Sequence, residues 1–215
     1  YRSKSKSLLR VSHLYQGAIP ISHQNQMLEL VKNEIGDTDL LVFSDFNYGC
    51  LPQSLVGDIM NITKKHKLFV AADSQSSSQI GDISRFKNMD LLTPTEREAR
   101  ISTRNHEDGL VVLAEKLRQD SSARNILLKL GQEGLLVYTR EDKDDMSTDR
   151  ITNLNSAVKD EAGAGDSLLI TSAMAMACGA DIWEAACLGS LAAALQVGRV
   201  GNTPLSIKDF LQVLN

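Results

Sequence analysis

The segment DEAGAGDS at residues 160–167 places a carboxylate, Asp166, where a glycine-rich turn meets a long apolar run. Gly163 and Gly165 have no Cβ atom, so the backbone amides of this turn can approach a ligand closely. The apolar run predicts a buried helix from residue 166 to about 178, and the free amides and positive dipole end of such a helix bind anions. A carboxylate would repel a resting anion, but it can accept the proton of a hydroxyl that attacks the anion. The segment favours phosphoryl transfer to an alcohol, and the alternative that Asp166 only caps the helix stays open.

The elements that must position this segment follow an α/β pattern. Short, continuously apolar runs predict buried strands at residues 39–45, 68–73 and 90–94, and the glycines of GQEG predict a turn between two further paired strands. Segments with helical spacing alternate with these strands, which predicts one domain with a mainly parallel sheet covered by helices on both faces. Ligands bind at the carboxyl edge of such sheets. Residues 141–149 are rich in acidic side chains and predict a solvated loop.

Several classes of protein are disfavoured by the sequence. There is no GxxxxGK[ST] phosphate loop and no GxGxxG dinucleotide motif after a strand. The net charge of -4 argues against a general nucleic-acid binder, and the apolar runs are too interrupted for a membrane span. The cysteines follow no CxxC spacing and predict buried thiols in a reducing, cytoplasmic compartment: Cys50, Cys178 and Cys187.

The motifs resemble those of ribokinase-like (PfkB) carbohydrate kinases over nearly the whole chain. DEAGAGDSLL resembles the family's D-T-x-G-A-G-D signature, LLTPTEREA its T-P-N-x-x-E segment and LKLGQEGLLVY its T-x-G-x-x-G nucleotide loop. LAAALQVGRVGNTP resembles the helix and loop beside the adenine, while KSLLRVS and LLVFSDFNYG resemble heptose-7-phosphate kinase domains. The resemblance implies an αβα sandwich that phosphorylates a sugar or sugar phosphate with ATP and Mg²⁺. The family's N-terminal G-G segment, with much of the sugar site and lid, is absent, so a truncated member is expected, with residues 1–12 as a lid strand.

The resemblance also implies roles for individual residues. Asp166 matches the catalytic base, and Gly163, Ala164 and Gly165 match the anion hole that holds the transferred phosphoryl group. The positions that match nucleotide contacts are Thr95, Glu98, Lys129, Gly131, Gly134, Ser190 and Asn202. Glu98 is further implied to organise Mg²⁺ through water, and Asp45 to contact the sugar.

A monovalent cation site, for K⁺, is implied beside this signature. The positions that match it are Asp160, Ala162, Gln196, Arg199 and Gly201. Gln196, Arg199 and Gly201 would contribute backbone oxygens. The resemblance also leaves open a homodimer and fusion to a nucleotidyltransferase domain.

Some residues depart from the family pattern or have a second interpretation. Thr95 replaces the usual Asn, and Lys129 replaces the usual Thr, so its ammonium could meet a phosphate or turn outward. Tyr48 stands where heptose kinases often carry Lys, which puts recognition of a sugar phosphate in question. Glu98 could serve only the dipole of its helix, and Asp45 could only cap the turn that follows it.

The favoured hypothesis is an ATP-dependent sugar kinase of the heptose-7-phosphate kinase type. Its rival is a catalytically inactive nucleotide-binding or regulatory module with the same fold, favoured by Thr95 and the absent N-terminal segment. A Rossmann-type nucleotidyltransferase lacks support, because the chain has no H-x-G-H-type signature.

Overall fold

The computed structural model describes residues 17–76, 80–140 and 146–214 of the 215-residue chain. The helices of this part are α1 (Ile21–Glu34), α2 (Gln53–Thr63), α3 (Glu96–Thr103), α4 (Leu110–Ser121), α5 (Ala164–Ala177), α6 (Ile182–Val197) and α7 (Ile207–Leu214). The strands are β1 (Leu40–Asp45), β2 (Phe69–Ser74), β3 (Leu91–Leu92), β4 (Asn125–Lys129), β5 (Leu135–Arg140) and β6 (Met146–Ile151). None of the helices described combines the length and apolar character needed to cross a membrane.

The strands form one sheet in the order β1-β2-β3-β4-β5-β6. The first four run parallel, and β5 and β6 are added antiparallel at one edge. The α/β class and the mainly parallel sheet expected from the sequence are therefore confirmed. Because β1 to β4 share one direction, Asp45, Ser74 and Lys129 end their strands at the same edge of the sheet.

The apolar strands are buried on both faces. Successive side chains of a strand point to opposite faces, so Leu91 packs in one core and Leu92 in the other. Phe43 and Leu113 belong to the core under α2 and α4, while Leu168 belongs to the core under α5 and α6. This two-sided burial explains why the strands are continuously apolar rather than alternating.

Helices α5 and α6 pack closely along their small residues. The buried Ser172 Oγ donates to the carbonyl oxygen of Ala185 at 3.0 Å. A Cβ built on Gly189 would lie 2.1 Å from that Oγ, so only glycine permits this approach. The middle of α5 is thereby held closely against α6.

The structure corrects several expectations. Helix α1 was not anticipated from the sequence; Met27 and Val31 pack it onto the α2 face of the core. Residues 146–149, expected in a loop, begin the edge strand β6, which pairs with β5 although its side chains are largely exposed. Residues 141–145 and the expected strand at 1–12 lie outside the described residues.

The cysteines were expected to be buried, and this was wrong. Cys50, Cys178 and Cys187 are free and exposed. Cys178 follows the last residue of α5, and Cys187 lies on the exposed side of α6. The apolar residues around them therefore did not predict whether their side chains are buried.

Candidate active site

A cavity of about 660 Å³ opens at the edge where the parallel strands end. Its size falls within the range of about 300–1,000 Å³ that is usual for small-molecule sites. Its walls come from the ends of β2 and β4, the turn after β3, the start of α5 and one side of α6. Its charged lining residues are four acids and two bases: Asp73, Glu98, Glu161, Asp166, Arg97 and Lys129. A highly charged anion therefore fits this cavity best together with a cation.

The glycine-rich turn at residues 163–165 lines the cavity at the amino end of α5. Gly163 is the N-cap residue with φ of 79°, in the left-handed region that favours glycine. A Cβ on Gly163 would lie 2.1 Å from Asn202 Oδ1, so the Asn202 side chain occupies the space that the glycine leaves. The N–H groups of Gly165 and Asp166 in the first turn have no carbonyl partner within the helix. The turn can therefore offer amides to an anion.

Asp166 lies in the first turn of α5, three residues after the N-cap. The helix begins at Ala164 rather than at 166, and no side chain caps it, so the expectation that Asp166 could be the cap is wrong. Its Oδ1 accepts a hydrogen bond of 3.2 Å from Gln75 Nε2, which follows the end of β2. This contact orients the carboxylate beside the open amides.

Lys129 turns into the cavity rather than into solvent. Its Nζ lies 2.8 Å from Asp73 Oδ2, and the two side chains are 15% and 2% exposed. Burial raises the pKa of the Asp73 carboxyl, and the adjacent Lys129 ammonium opposes that shift. A Cβ on Gly165 would lie 3.3 Å from Lys129 Nζ, so the ammonium stands directly beside the glycine-rich turn. A positive charge is thus fixed where the turn would bind an anion.

Glu98 and Thr95 form a capping box at the start of α3. Thr95 Oγ1 accepts from Glu98 N at 3.2 Å, and Glu98 Oε2 accepts from Thr95 N at 2.7 Å. Glu98 Oε1 accepts from Ser76 N at 2.9 Å, so each carboxylate oxygen already has one amide partner. Both residues line the cavity. Oxygen donors held in this way fit Mg²⁺ through intervening water, because Mg²⁺ keeps several water ligands in such sites.

The loop between β4 and β5 forms the outer wall of the cavity. Gly131 and Gly134 have φ of 61° and 94°, and a Cβ on Gly134 would lie 2.0 Å from the Ile151 carbonyl oxygen. Across the cavity, Ser190 Oγ on α6 is buried and has no hydrogen-bond partner among the described residues. The space between this loop and α6 can hold a flat apolar group, and the unpaired Ser190 hydroxyl is buried on its α6 side.

Two residues expected to contact ligands lie outside the cavity lining. Asp45 is 3% exposed; Arg85 donates to it at 2.7 Å, and Asn47 N donates to it at 3.0 Å. It therefore caps the following turn, and its contact with a sugar stays a prediction. Asn202 packs against Gly163 and reaches the site through that glycine.

The residues expected around a monovalent cation meet behind the glycine-rich turn. Asp160 Oδ1 accepts from Ala162 N at 3.1 Å and Oδ2 from Gly201 N at 3.0 Å, and these amides lower the pKa of its carboxyl. Arg199 turns its guanidinium to Asp209, at 2.5 Å. Gln196 was expected to contribute only backbone, yet its buried side chain reaches into this group.

Sequence reasoning missed Gln75 and Arg97. Both line the cavity, and Arg97 Nη1 lies 3.4 Å from the Ser76 carbonyl oxygen. Gln75 directly follows β2, so its position after a parallel strand was the available signal. Nothing in the spacing of Arg97 distinguishes it from a surface arginine on α3.

Comparisons with known proteins show the family and the fold of this chain. The model of the pfkB family carbohydrate kinases matches residues 17–208. A bifunctional protein HldE of Campylobacter concisus is 31% identical over 178 residues, which are 81% of this chain and 36% of that protein. A bifunctional protein HldE of Sulfurimonas denitrificans is 27% identical over 208 residues, or 95% of this chain and 42% of that protein. The chain thus spans less than half the length of these relatives.

Solved structures show the same fold. Phosphofructokinase-2 of Escherichia coli, crystallised in complex with potassium, superposes with a TM-score of 0.74 at 17% identity over 91% of this chain and 62% of that chain. Ribokinase of Thermotoga maritima gives a TM-score of 0.66 at 23% identity over 87% of this chain and 61% of that chain. The fold is ribokinase-like, and the chain belongs to the pfkB family of carbohydrate kinases.

Proposed function

We propose that this chain is the kinase domain of an enzyme that transfers the γ-phosphoryl group of ATP to a hydroxyl of a sugar or sugar phosphate. One observation carries the proposal: Asp166, the open amides of the first turn of α5 and the Lys129 ammonium all face one cavity. A base, an anion hole and a fixed cation are the groups that phosphoryl transfer to an alcohol requires.

Each residue of the cavity has its own role in the proposed phosphoryl transfer. The hydroxyl oxygen of the sugar attacks the γ-phosphorus, its proton passes to the Asp166 carboxylate, and the bond from the γ-phosphorus to the bridging oxygen of ADP breaks. Gln75 holds Asp166 in position for this transfer. The amides of Gly165 and Asp166 donate to the phosphoryl oxygens, and Lys129 balances their charge.

The carboxylates of the lining fit the Mg²⁺ that accompanies ATP in such reactions. Bound Mg²⁺ neutralises charge on the phosphates. Glu98, with its oxygens fixed by Thr95 N and Ser76 N, would hold water ligands of the ion. The excess of carboxylates over bases in the lining favours the metal complex over free ATP.

The nucleotide is proposed to lie between the loop at residues 131–134 and α6. This places adenine against the apolar wall near Ser190 Oγ, the unpaired hydroxyl. A heptose 7-phosphate is the proposed acceptor class, supported by the resemblance of LLVFSDFNYG and by the HldE relatives. Tyr48, in place of a lysine, is the departure that tests this choice.

The deciding experiment measures sugar-dependent release of ADP by the full-length protein. A panel with heptose 7-phosphate, ribose and fructose 6-phosphate should show turnover with at least one acceptor and none without Mg²⁺. Calorimetry with ADP on the same sample separates the rival function. Nucleotide binding without turnover on any acceptor would instead support an inactive nucleotide-binding module, and absence of nucleotide binding would overturn both.

The remaining proposals concern the whole protein. Because the relatives are bifunctional and much longer, a second fused domain is proposed for the parent protein. A nucleotidyltransferase is the proposed activity of that domain, and a homodimer in the cytoplasm is the proposed setting. Neither a membrane nor a nucleic acid is proposed as a partner.

A further inference from the structure

Gln196, near the carboxyl end of α6, carries a buried side-chain amide between two loops. It is 1% exposed. Its Nε2 donates to the carbonyl oxygen of Ala162 at 3.2 Å and to that of Gly201 at 3.1 Å. An amide NH2 has two hydrogens, and both are used on these two acceptors.

The orientation of this amide follows from its neighbours. Turning it over would place Oε1 against the Ala162 and Gly201 carbonyl oxygens, and three acceptors would then repel one another. In the observed orientation Oε1 is buried with no partner among the described residues. The donors of Gln196, not its acceptor, therefore fix its position.

These carbonyls are part of the group that the sequence predicts as ligands of a monovalent cation. A cation at that point needs oxygen lone pairs directed into a common space. Here the two N–H donors of Gln196 stand between two of the oxygens and take up the space and the lone pairs that the cation would use. The residues of this chain therefore do not fit K⁺ in the manner that the sequence motif implies.

We propose that the Gln196 amide replaces the monovalent cation, so that the nucleotide site of this chain is independent of K⁺. A cation and an NH2 group satisfy a pair of converging carbonyls by the same electrostatics, since each brings positive charge to both oxygens. Glutamine does so with an atom of the chain itself, which needs no ion from solution.

The replacement acts on the anion-binding turn. Ala162 immediately precedes Gly163, the N-cap of α5, and Gly201 immediately precedes Asn202, which packs against Gly163. By joining the two loops, Gln196 holds the amides of Gly165 and Asp166 in place. Its effect on nucleotide binding rests on the proposed function; its effect on the stability of the two loops does not.

The test compares K⁺ with tetramethylammonium, as chlorides at equal concentration, on the full-length protein. Two quantities are measured in each salt: the dissociation constant of ADP with Mg²⁺, by calorimetry, and the Tm without nucleotide. For the wild-type protein we expect both to be the same in the two salts. A wild-type affinity or Tm that rises clearly in K⁺ would overturn the proposal.

The variants Gln196→Ala and Gln196→Met remove the two donors, and methionine keeps the volume in case alanine fails to fold. In tetramethylammonium we expect each to bind ADP about fivefold more weakly, equivalent to about 1 kcal/mol. We also expect a lower Tm and partial recovery of both quantities in K⁺. Equal losses in both salts would show that K⁺ cannot take the place of the amide, and this would overturn the proposal that the Gln196 amide replaces the cation.

Gln24→Ala is the matched control. Gln24 is also buried, and its Nε2 donates to the Ile19 carbonyl oxygen at 2.8 Å, away from the site. It should lower the Tm with no response to K⁺. If the wild-type protein binds no ADP in either salt, the proposed function fails, while the Tm values of the same variants still decide the cation question.

Discussion

Two clusters of charged side chains, one on α4 and one at the carboxyl edge of the sheet, differ in how fully they compensate a carboxylate. Glu115 on α4 accepts from Arg118, Gln119, Tyr138 and Arg140 at 2.6 to 2.8 Å. These partners, Arg118 foremost, lower the pKa of its carboxyl to about 2. At the carboxyl edge of the sheet, Asp73 has Lys129 as its ionic partner, and burial raises the pKa of the Asp73 carboxyl.

The difference separates a structural cluster from a chemical one. Each oxygen of Glu115 has at least two donors, so its charge stabilises the fold. Asp73 and Asp166 line a cavity and have fewer donors: Asp73 accepts from Lys129 and from Ser74 N, and Asp166 accepts from Gln75. Incompletely compensated charge beside an opening is a mark of functional sites.

The largest expected effect comes from Asp166→Asn. Asparagine keeps the shape and the contact with Gln75 but cannot accept a proton as a carboxylate does. We expect sugar-dependent ADP release to fall about 100- to 10,000-fold, with the Tm nearly unchanged and ADP binding retained. Near-normal turnover would show that Asp166 has only a structural role, and it would contradict the distinction between the two clusters.

The second effect concerns the ion pair between Asp73 and Lys129. Lys129→Met leaves Asp73 buried without its cation, which should cost about 3 kcal/mol of unfolding free energy at neutral pH and weaken ADP binding about tenfold or more. Since the carboxyl pKa is raised, protonation as the pH falls should reduce this loss of stability.

The double variant Asp73→Asn/Lys129→Met separates the two consequences. It removes the uncompensated charge, so denaturant unfolding should show most of the stability restored. The ADP affinity should stay low, because the ammonium beside Gly165 is still missing. Affinity that returns with stability would mean that Lys129 serves the fold alone.

The third effect is the pH dependence of the structural cluster. The folded pKa of Glu115, about 2, lies below its ordinary value of 4.5, so its stabilisation is present above pH 4.5 and is lost as the pH falls towards 2. Glu115→Gln should lower the unfolding free energy at pH 7 by on the order of 1–3 kcal/mol, and the gap from wild type should close near pH 2.

Glu107→Gln is the control for that pH series, because Glu107 is exposed. Urea unfolding of all three proteins between pH 2 and 7 gives the comparison. A gap between wild type and Glu115→Gln that does not change with pH would contradict the assignment of the stabilisation to the ionised carboxylate.

The smallest expected effect tests the shape of the glycine-rich turn at residues 163–165. Gly163→Ala puts a Cβ 2.1 Å from Asn202 Oδ1 at a residue with φ of 79°. Gly179→Ala meets the same kind of backbone strain, with φ of 98°, but no atom within 4 Å. We expect each to cost about 1 kcal/mol in strain and Gly163→Ala about 1 kcal/mol more, with weaker ADP binding only for Gly163→Ala. Equal Tm values and affinities for the two variants would show that the Asn202 contact is unimportant.

Much of the fold could be predicted from the sequence, because continuous apolar strands and their alternation with helices leave few ways to bury both faces. The predicted strands at residues 39–45 and 68–73 became β1 and β2 almost residue for residue. Helix α1 escaped notice because its sequence is mostly polar, and β6 because an edge strand with exposed side chains carries no apolar pattern. Their formation depends on tertiary partners, the core face beside α2 for α1 and the paired strand β5 for β6.

The sequence by itself determined the family, the glycine-rich turn and the position of Asp166, because these follow from residue types at short spacing. Only the tertiary structure decided which way the long side chains point. Lys129 contacts Asp73, and Gln75 contacts Asp166. Gln196 donates to the carbonyl oxygens of Ala162, more than thirty residues away, and of Gly201, five residues away. A flexible side chain takes the orientation that satisfies its donors and charges, and those partners are assembled only when the sheet and helices pack.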